Sequence, residues 1–260
     1  MTRRRLDAEL VRRGLARSRQ QASELIEAGS VTLNGMVAGK PATQVDDGAS
    51  IVVKVGDEPE YVSRGAHKLA GPLTQFGLDV RGREALDAGA STGGFTQVLL
   101  QAGVAHVIAV DVGYGQLAWS LQQDPRVTVM DRTNVRHLTA ADLPYAPNLV
   151  VSDLSFISLT KVLDPLVAVA APDADFLVLV KPQFEVGKGH VGKGGVVREP
   201  DQHAWAIREV ADSAATTGLG VAGLLRSPLP GPSGNIEFVM WLRKGAPRLD
   251  DARVQEVVGG

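Results

Sequence analysis

Apolar positions recur along this chain with two different periods, and the change between them divides it. Leu6, Leu10, Val11 and Leu15 fall at helical spacing with Arg12 and Arg13 between them, and Gly14 is placed to end the run. Ser18 offers an N-cap to a second helix whose apolar stripe is Ala22, Leu25 and Ile26, stopped by Gly29. VTLNG (Val31–Gly35) then alternates as a strand ending in an Asn-Gly turn, and SIVVKV (Ser50–Val55) reads as a second strand. Two short helices and a small hairpin are predicted. From Glu84 onward strands alternate with helical runs: strand 85–88, helix 94–102, strand 105–111, helix 115–122, strand 127–131, strand 148–153, helix 158–170, strand 175–181 and helix 201–217. Such alternation predicts βαβ units around a parallel sheet. Two closing strands, 219–226 and 236–243, flank a loop holding Pro228, Pro230, Gly231, Pro232 and Gly234, and are expected to pair antiparallel at one end of that sheet.

Composition narrows the classes. The 260 residues contain no cysteine, which removes disulfides, thiolate metal sites and cysteine nucleophiles, and the five histidines show no metal-ligand spacing. Apolar runs such as Phe176–Val180 are far shorter than the 18 or so residues that cross a bilayer, and the N-terminus lacks the apolar stretch of a secretory signal. A cytoplasmic protein without membrane contact, and a monomer, is the expectation. The net charge of −2 hides an asymmetry: residues 1–40 carry +4, and residues 41–62 carry −4. A basic segment on a near-neutral chain suits nucleic acid, although a solvated helix face would look the same.

The segment RLDAELVRRGLARSRQQASELIEAGSVTLNG resolves that ambiguity, because its SR-x-x-A…I-x-x-G-x-V-x-x-NG spacing resembles the S4 RNA-binding domain. The resemblance implies phosphate contacts from Arg4, Arg5, Arg12, Arg13, Arg17 and Arg19, which would add affinity and salt dependence more than sequence choice. It places an S4 domain at 1–57 and leaves the acidic 58–63 as a linker.

The first βα turn of the second domain reads ALDAGASTGGFTQVLL. A dinucleotide fingerprint would need glycine at position 91, where Ser91 stands, and no phosphate-loop lysine motif occurs. The D-x-G-x-x-x-G-G pattern instead resembles the S-adenosylmethionine loop of class I methyltransferases. By that resemblance Asp87, Gly89, Ser91, Thr92, Gly93, Gly94, Phe95 and Thr96 would form the cofactor turn, and Asp111, Asp131 and Asp153 would serve it from successive strand ends. The implied fold is a Rossmann-like α/β methyltransferase domain over 64–248, with 249–260 left as an unread tail.

Three more residues, with Asp153 again, carry candidate chemistry: Lys68 in SRGAHKL, Asp153 in NLVVSDLSF, Lys181 in FLVLVKPQFE and Glu237 in GNIEFVMW. A ribose hydroxyl must lose its proton as it attacks, so a lysine serving as base or orienting group, held by acidic partners, fits that step. Singly, Lys68 reads as a helix-surface lysine, Lys181 as a strand-end lysine and Glu237 as a solvated strand residue. Together they resemble the K-D-K-E tetrad of FtsJ-like ribose 2′-O-methyltransferases. An S4 domain joined to such a domain is similar to the haemolysin-A-type TlyA family, and this implies methylation of cytidine 2′-hydroxyls in 23S and also 16S ribosomal RNA, with both ribosomal subunits as partners and S-adenosylmethionine as cofactor. Some members carry an Arg-x-Trp-Val linker, where this chain has Glu58-Pro59-Glu60-Tyr61-Val62. Arg64, and Lys188 and Lys193 in the glycine-rich stretch 183–198, read as further RNA contacts, the stretch as a loop closing over RNA. Phe156 either stacks on a base or packs.

Four rivals remain at this point. A pseudouridine synthase would use the Asp of Arg5-Leu6-Asp7, but that triplet lies within a helix of the S4-like segment. A base N-methyltransferase would frame its amine with prolines that Asp153-Leu154-Ser155-Phe156 lacks. The others are a haemolysin and a non-catalytic assembly factor.

Overall fold

The computed structural model describes residues 4–16, 18–53, 61–231 and 233–260, and the chain divides into two compact units, 1–60 and 61–260. In the first unit β1 (Arg4–Arg5) leads into α1 (Leu6–Arg12), α2 (Arg19–Glu27), β2 (Val31–Leu33), β3 (Met36–Val37), β4 (Gln44–Val45) and β5 (Ile51–Val53). Leu6, Leu10, Ala22, Ile26 and Val31 form its core, as the helical spacing predicts. Ser18 caps α2 by accepting from the Gln21 amide at 3.1 Å. The hairpin differs from expectation. Asn34 and Gly35 both have positive φ (51° and 84°), the geometry of a two-residue turn that joins adjacent strands, so β2 pairs with β3 across it and with β5 on its other edge.

The second unit runs α3 (His67–Phe76), β6 (Glu84–Ala88), α4 (Gly94–Gln101), β7 (His106–Val110), α5 (Trp119–Gln122), β8 (Val127–Met130), β9 (Leu149–Ser152), α6 (Leu163–Val169), β10 (Asp175–Val180), α7 (Pro182–Glu185), α8 (Pro200–Thr216), β11 (Leu219–Arg226), β12 (Phe238–Lys244) and α9 (Asp251–Gly259). The seven strands stand in the order β11-β12-β10-β9-β6-β7-β8. Strands from β10 to β8 are parallel, and β12 lies antiparallel between β10 and β11. The inner strands are buried on both faces, which is why DFLVLV and LVVS read as unbroken apolar runs. Alternate residues serve opposite layers: Leu86, Ile108, Val150 and Val178 meet one cluster, and Ala85, Val107, Val151 and Leu177 the other. The chain leaves β6 for β7 on one side and later enters β9 on the other, so a crevice opens at the carboxyl ends of β6 and β9.

Several boundaries move. The helix expected over 115–122 shortens to α5, because residues 112–118 turn their backbone toward carboxylates, Gly113 N to Asp111 at 2.7 Å and Gly115 N to Asp131 at 2.8 Å. The helix expected over 158–170 splits into a 3-10 turn (Leu159–Lys161) and α6. Residues 249–260 are not a tail. Val254 and Val257 of α9 join the core, where Arg208 of α8 holds Asp251 at 2.7 Å. The linker proposed over 58–63 loses its last three residues to the second unit: Tyr61 and Val62 pack there, and Val62 N donates to Gln97 at 2.7 Å. Residues 58–60, like Arg17 and the side chain of Lys188, lie outside the described residues.

Candidate active site

The turn after β6 is built on close approaches that only glycine permits. Gly89 has φ of 90°, and a Cβ there would stand 2.9 Å from the Asp153 carbonyl oxygen and 3.1 Å from Leu154. Its missing side chain is what brings the turn against the end of β9. At Gly94 a Cβ would lie 2.5 Å from Ser63 Oγ and 2.9 Å from the Ala66 amide, so this glycine seats the SRGAHK segment over the turn. Ser91, in a left-handed conformation with φ of 47°, donates its amide to Asp111 Oδ2 at 2.8 Å.

Two adjoining cavities open around this turn. One, of about 510 Å³, is lined by Asp111, apolar Val112, Val135 and Ile157, and polar Gln116 and Asn134. The other, of about 380 Å³, is lined by Ser63, Arg64, Lys68, Lys181 and Ser155 with Thr92, Gly94 and Phe95. Gly89, Ser91, Asp153 and Ser155 border both. Not every residue of the turn faces them. Asp87 and Thr96 are wholly buried beneath it, Gly93 meets Leu117 and Leu121, and Asp131 binds the Gly115 amide without lining either cavity. Asp87, Gly93 and Thr96 belong to the turn's pattern and Asp131 to a strand end; here Asp87, Gly93 and Thr96 support the turn, and Asp131 holds the loop after β7.

Asp87 shows what that role involves. Thr96 Oγ1 donates to its Oδ2 at 2.7 Å, and its Oδ1 is buried without a partner. Burial pushes its carboxyl from the ordinary 3.8 up to about 7, opposed by the Thr96 hydroxyl and reinforced by Asp153. The unfolded carboxyl loses its proton near 3.8 while the folded one keeps it to about 7, so the folded state holds the extra proton between these values. Stability contributed by this group therefore falls as pH rises from about 4 to about 7, then levels off. Asp87→Asn is expected to remove that slope, read as the difference between variant and wild-type denaturation midpoints across the same window.

The four chemistry-bearing residues come together as two ion pairs. Lys181, at the end of β10, has Nζ 2.5 Å from Asp153 Oδ1 and donates to Ser155 Oγ at 3.0 Å. Lys68, on the first turn of α3, has Nζ 2.5 Å from Glu237 Oε2. Lys68 is thus buried rather than a helix-surface lysine, and Glu237, 1% exposed, is not a solvated strand residue. Glu237 stands just before β12 and lies behind Lys68 instead of lining the cavity.

The sequence reading passed over the groups that tie these loops together. Glu185, four residues beyond Lys181, accepts from Ser158 Oγ at 2.6 Å and the Leu159 amide at 2.9 Å, joining the Lys181 loop to the Asp153 loop. Burial pushes its carboxyl above the ordinary range. Gln183 approaches Glu237 at 3.5 Å, and Ser155 contacts Lys181. An acidic residue four positions after the strand-end lysine, in KPQFE, was the available signal. Phe156 does not pack: it is 91% exposed, has φ of 64°, and its only ring neighbour among the described residues is Phe184 at 5.3 Å. The stretch 183–198 is pinned at both ends rather than free to close as a whole. Val186 and Val197 are buried against Ala206, and Asn235 accepts from the Val197 amide and donates to the Gly195 carbonyl, each at 2.9 Å. Lys193 is exposed between them.

In the first unit the described arginines engage two buried carboxylates. Asp7 accepts from Arg5 and Arg19, and Glu9 from Arg12 and Arg13, while Arg4 pairs with Asp47. Arg13 departs most from a phosphate contact, since it also donates inward to the carbonyls of Ala49 and Asp47 at 2.8 and 3.1 Å. Asp7, buried and held by two guanidiniums, is not placed as a pseudouridine synthase's nucleophile. Among the described residues no helix is long and apolar enough to cross a membrane, and no cluster of three or more His, Asp or Glu side chains stands ready for a metal.

Comparison with known proteins agrees with this layout. The FtsJ-like methyltransferase family matches residues 61–244, and the S4 domain matches residues 4–51. The 16S/23S rRNA (cytidine-2′-O)-methyltransferase TlyA of Mycobacterium tuberculosis is 58% identical over 96% of this chain and 93% of its own length. The 23S rRNA (cytidine-2′-O)-methyltransferase TlyA of Campylobacter jejuni is 31% identical over 87% of this chain and 94% of its own. A solved structure from Streptococcus thermophilus, named as a hemolysin, superposes with a TM-score of 0.78 at 40% identity, covering 100% of this chain and 95% of that one. An S4 domain followed by an FtsJ-like methyltransferase domain, matched over nearly the full length of such relatives, makes this chain a member of the TlyA family.

Proposed function

We propose that this chain transfers a methyl group from S-adenosylmethionine to the 2′-hydroxyl of cytidine in ribosomal RNA, in 23S and also in 16S RNA. The observation that carries the reading is the Lys181–Asp153 pair on the border of two cavities, at the carboxyl ends of adjacent strands. The residues fit the cofactor. Asp111 receives two backbone amides and keeps lone pairs for a ribose diol, and Val112, Val135 and Ile157 offer apolar walls to an adenine. Gly89 and Ser91 would hold the amino-acid end. The smaller cavity, with Arg64, Lys68 and Lys181 against Asp153, suits the phosphates and sugar of a polynucleotide.

When bound, S-adenosylmethionine supplies a methyl carbon on a positively charged sulfur, which takes the carbon–sulfur electron pair as the new carbon–oxygen bond forms. The protein's part is to orient and deprotonate the attacking oxygen. Lys181 is ion-paired with Asp153 and donates one N–H to Ser155, and a remaining N–H points the 2′-oxygen while its charge eases loss of the proton. Asp153 takes that proton, whose acidity rises steeply as the oxygen becomes bonded to the methyl carbon. Glu237 pairs with Lys68 and fixes it beside a flanking phosphate, and exposed Phe156 offers a ring face to an unstacked base.

Methyl transfer from labelled S-adenosylmethionine to undermethylated 30S and 50S subunits, with the product nucleoside identified, tests the reading. Label in 2′-O-methylcytidine of both subunits is expected. Label in one subunit narrows the substrate range, and label in a base overturns the role given to Lys181 and Asp153.

A further inference from the structure

The basic stretch 1–40 has an acid among its arginines. Asp7, 3% exposed, accepts four N–H groups from the described residues: Arg5 Nε at 3.1 Å, Arg5 Nη2 at 2.9 Å, Arg19 Nη2 at 3.0 Å and the Ala8 amide at 2.8 Å. Arg5 immediately precedes α1, and Arg19 is the first residue of α2, so one carboxylate ties together guanidiniums carried by two separate elements. Both arginine side chains remain about half open, at 46% and 60%. A guanidinium has five N–H donors, so Arg5, giving two to Asp7, and Arg19, giving one, keep donors for another anion. The Arg5 hydrogen bonds, with those of Arg19, hold the Asp7 carboxyl down to about 2, so it stays ionised at any working pH.

Resting on the RNA-binding reading above, we infer that Asp7 is a positioning residue: it pre-sets Arg5 and Arg19 as a single two-armed clamp for RNA phosphate, so that a buried negative charge strengthens binding to a polyanion. A free arginine loses much side-chain freedom when it grips a phosphate, and one already held by a carboxylate loses less. Glu9 holds Arg12 in the same bidentate way, but its second partner, Arg13, is spent on carbonyls of its own unit. Glu9 and Asp47 each face both Arg4 and Arg12, but in each case one of the two contacts is 3.9 Å, too long for a hydrogen bond, so among the described residues Asp7 is the carboxylate hydrogen-bonded to two about half-exposed arginines.

The inference has a sign that charge counting opposes. Asp7→Asn raises the net charge of the basic face by one, so a pure field effect predicts tighter RNA binding and a steeper salt dependence. Pre-organisation predicts the reverse, because Asn presents an amide donor where Arg5 and Arg19 need an acceptor. The experiment uses the full chain and a fluorescent stem–loop RNA, titrated between about 50 and 200 mM salt. Wild type, Asp7→Asn, Arg5→Gln/Arg19→Gln and the triple variant are compared. Asp7→Asn is expected to bind on the order of tenfold more weakly, and to have no further effect once both arginines are replaced. Equal or tighter binding by Asp7→Asn overturns the inference. So does an equal loss in the arginine-replaced background, which marks a folding defect rather than a clamp. Wild type that binds no better than Arg5→Gln/Arg19→Gln overturns the clamp and leaves RNA binding to the other arginines, whereas wild type that does not bind the RNA removes the RNA reading itself, and the inference with it.

Discussion

Lys181→Ala is expected to lower methyl transfer by a factor on the order of 10²–10⁴, the range of a positioned proton-transfer group, while cofactor and RNA binding stay close to wild type. The separation follows from where Lys181 sits. It lines the smaller cavity beside Asp153 and makes no hydrogen bond to the Asp111 side of the larger one. Its removal takes away the donor that aims the attacking oxygen, a contact made as the bond forms rather than when the ligands bind. Lys181→Arg is expected to fail as well, because a planar guanidinium cannot occupy the place of a compact ammonium within 2.5 Å of Asp153 and 3.0 Å of Ser155. Single-turnover transfer to undermethylated subunits, run beside calorimetric cofactor binding, reads both quantities. Activity of Lys181→Ala within a few-fold of wild type would sink the mechanism.

The second large effect belongs to Glu237 and appears in stability. Glu237 and Lys68 are both buried, 2.5 Å apart, so Glu237→Ala leaves an ammonium in the interior without its partner. Breaking a buried pair from one side costs about 3–5 kcal/mol. At about 2–4 °C per kcal/mol for a unit of this size, the melting temperature is expected to fall by roughly 6–20 °C. Lys68→Met/Glu237→Met removes both charges and is expected to recover most of that loss while staying inactive. If Glu237→Ala melts with the wild type, the pair is solvated and its assignment as a buried support is wrong.

How much of this was legible depended on whether the cause was local. The S4-like helices were readable because Leu6, Leu10, Ala22 and Ile26 repeat at helical spacing and Ser18 caps locally. The parallel sheet was readable because strands buried on both faces must be apolar throughout, as in DFLVLV. α9 was missed because its apolar positions, Val254 and Val257, are few and acquire meaning only against α8 and β11. The fate of the glycine turn was half readable. Its pattern marked a ligand turn, but that Asp87 and Thr96 lie under it while Ser91 faces the cavity depends on the left-handed φ of Gly89 and Ser91.

The sequence by itself determined the two-domain order, the strand-and-helix alternation and the residue types of the site, since these follow from periodicity and from chemistry at strand ends. Tertiary structure decided the pairing. Lys68 and Glu237 are separated by 169 positions, and only the insertion of β12 beside β10 brings them within 2.5 Å. It also turned the described arginines of the first unit from a count of charges into guanidiniums each held by a carboxylate, with Arg13 facing inward and Arg5 and Arg19 joined through Asp7. Coulomb and hydrogen-bond energies depend on distance and direction in space, and spacing along a chain carries neither once the partners lie on different elements.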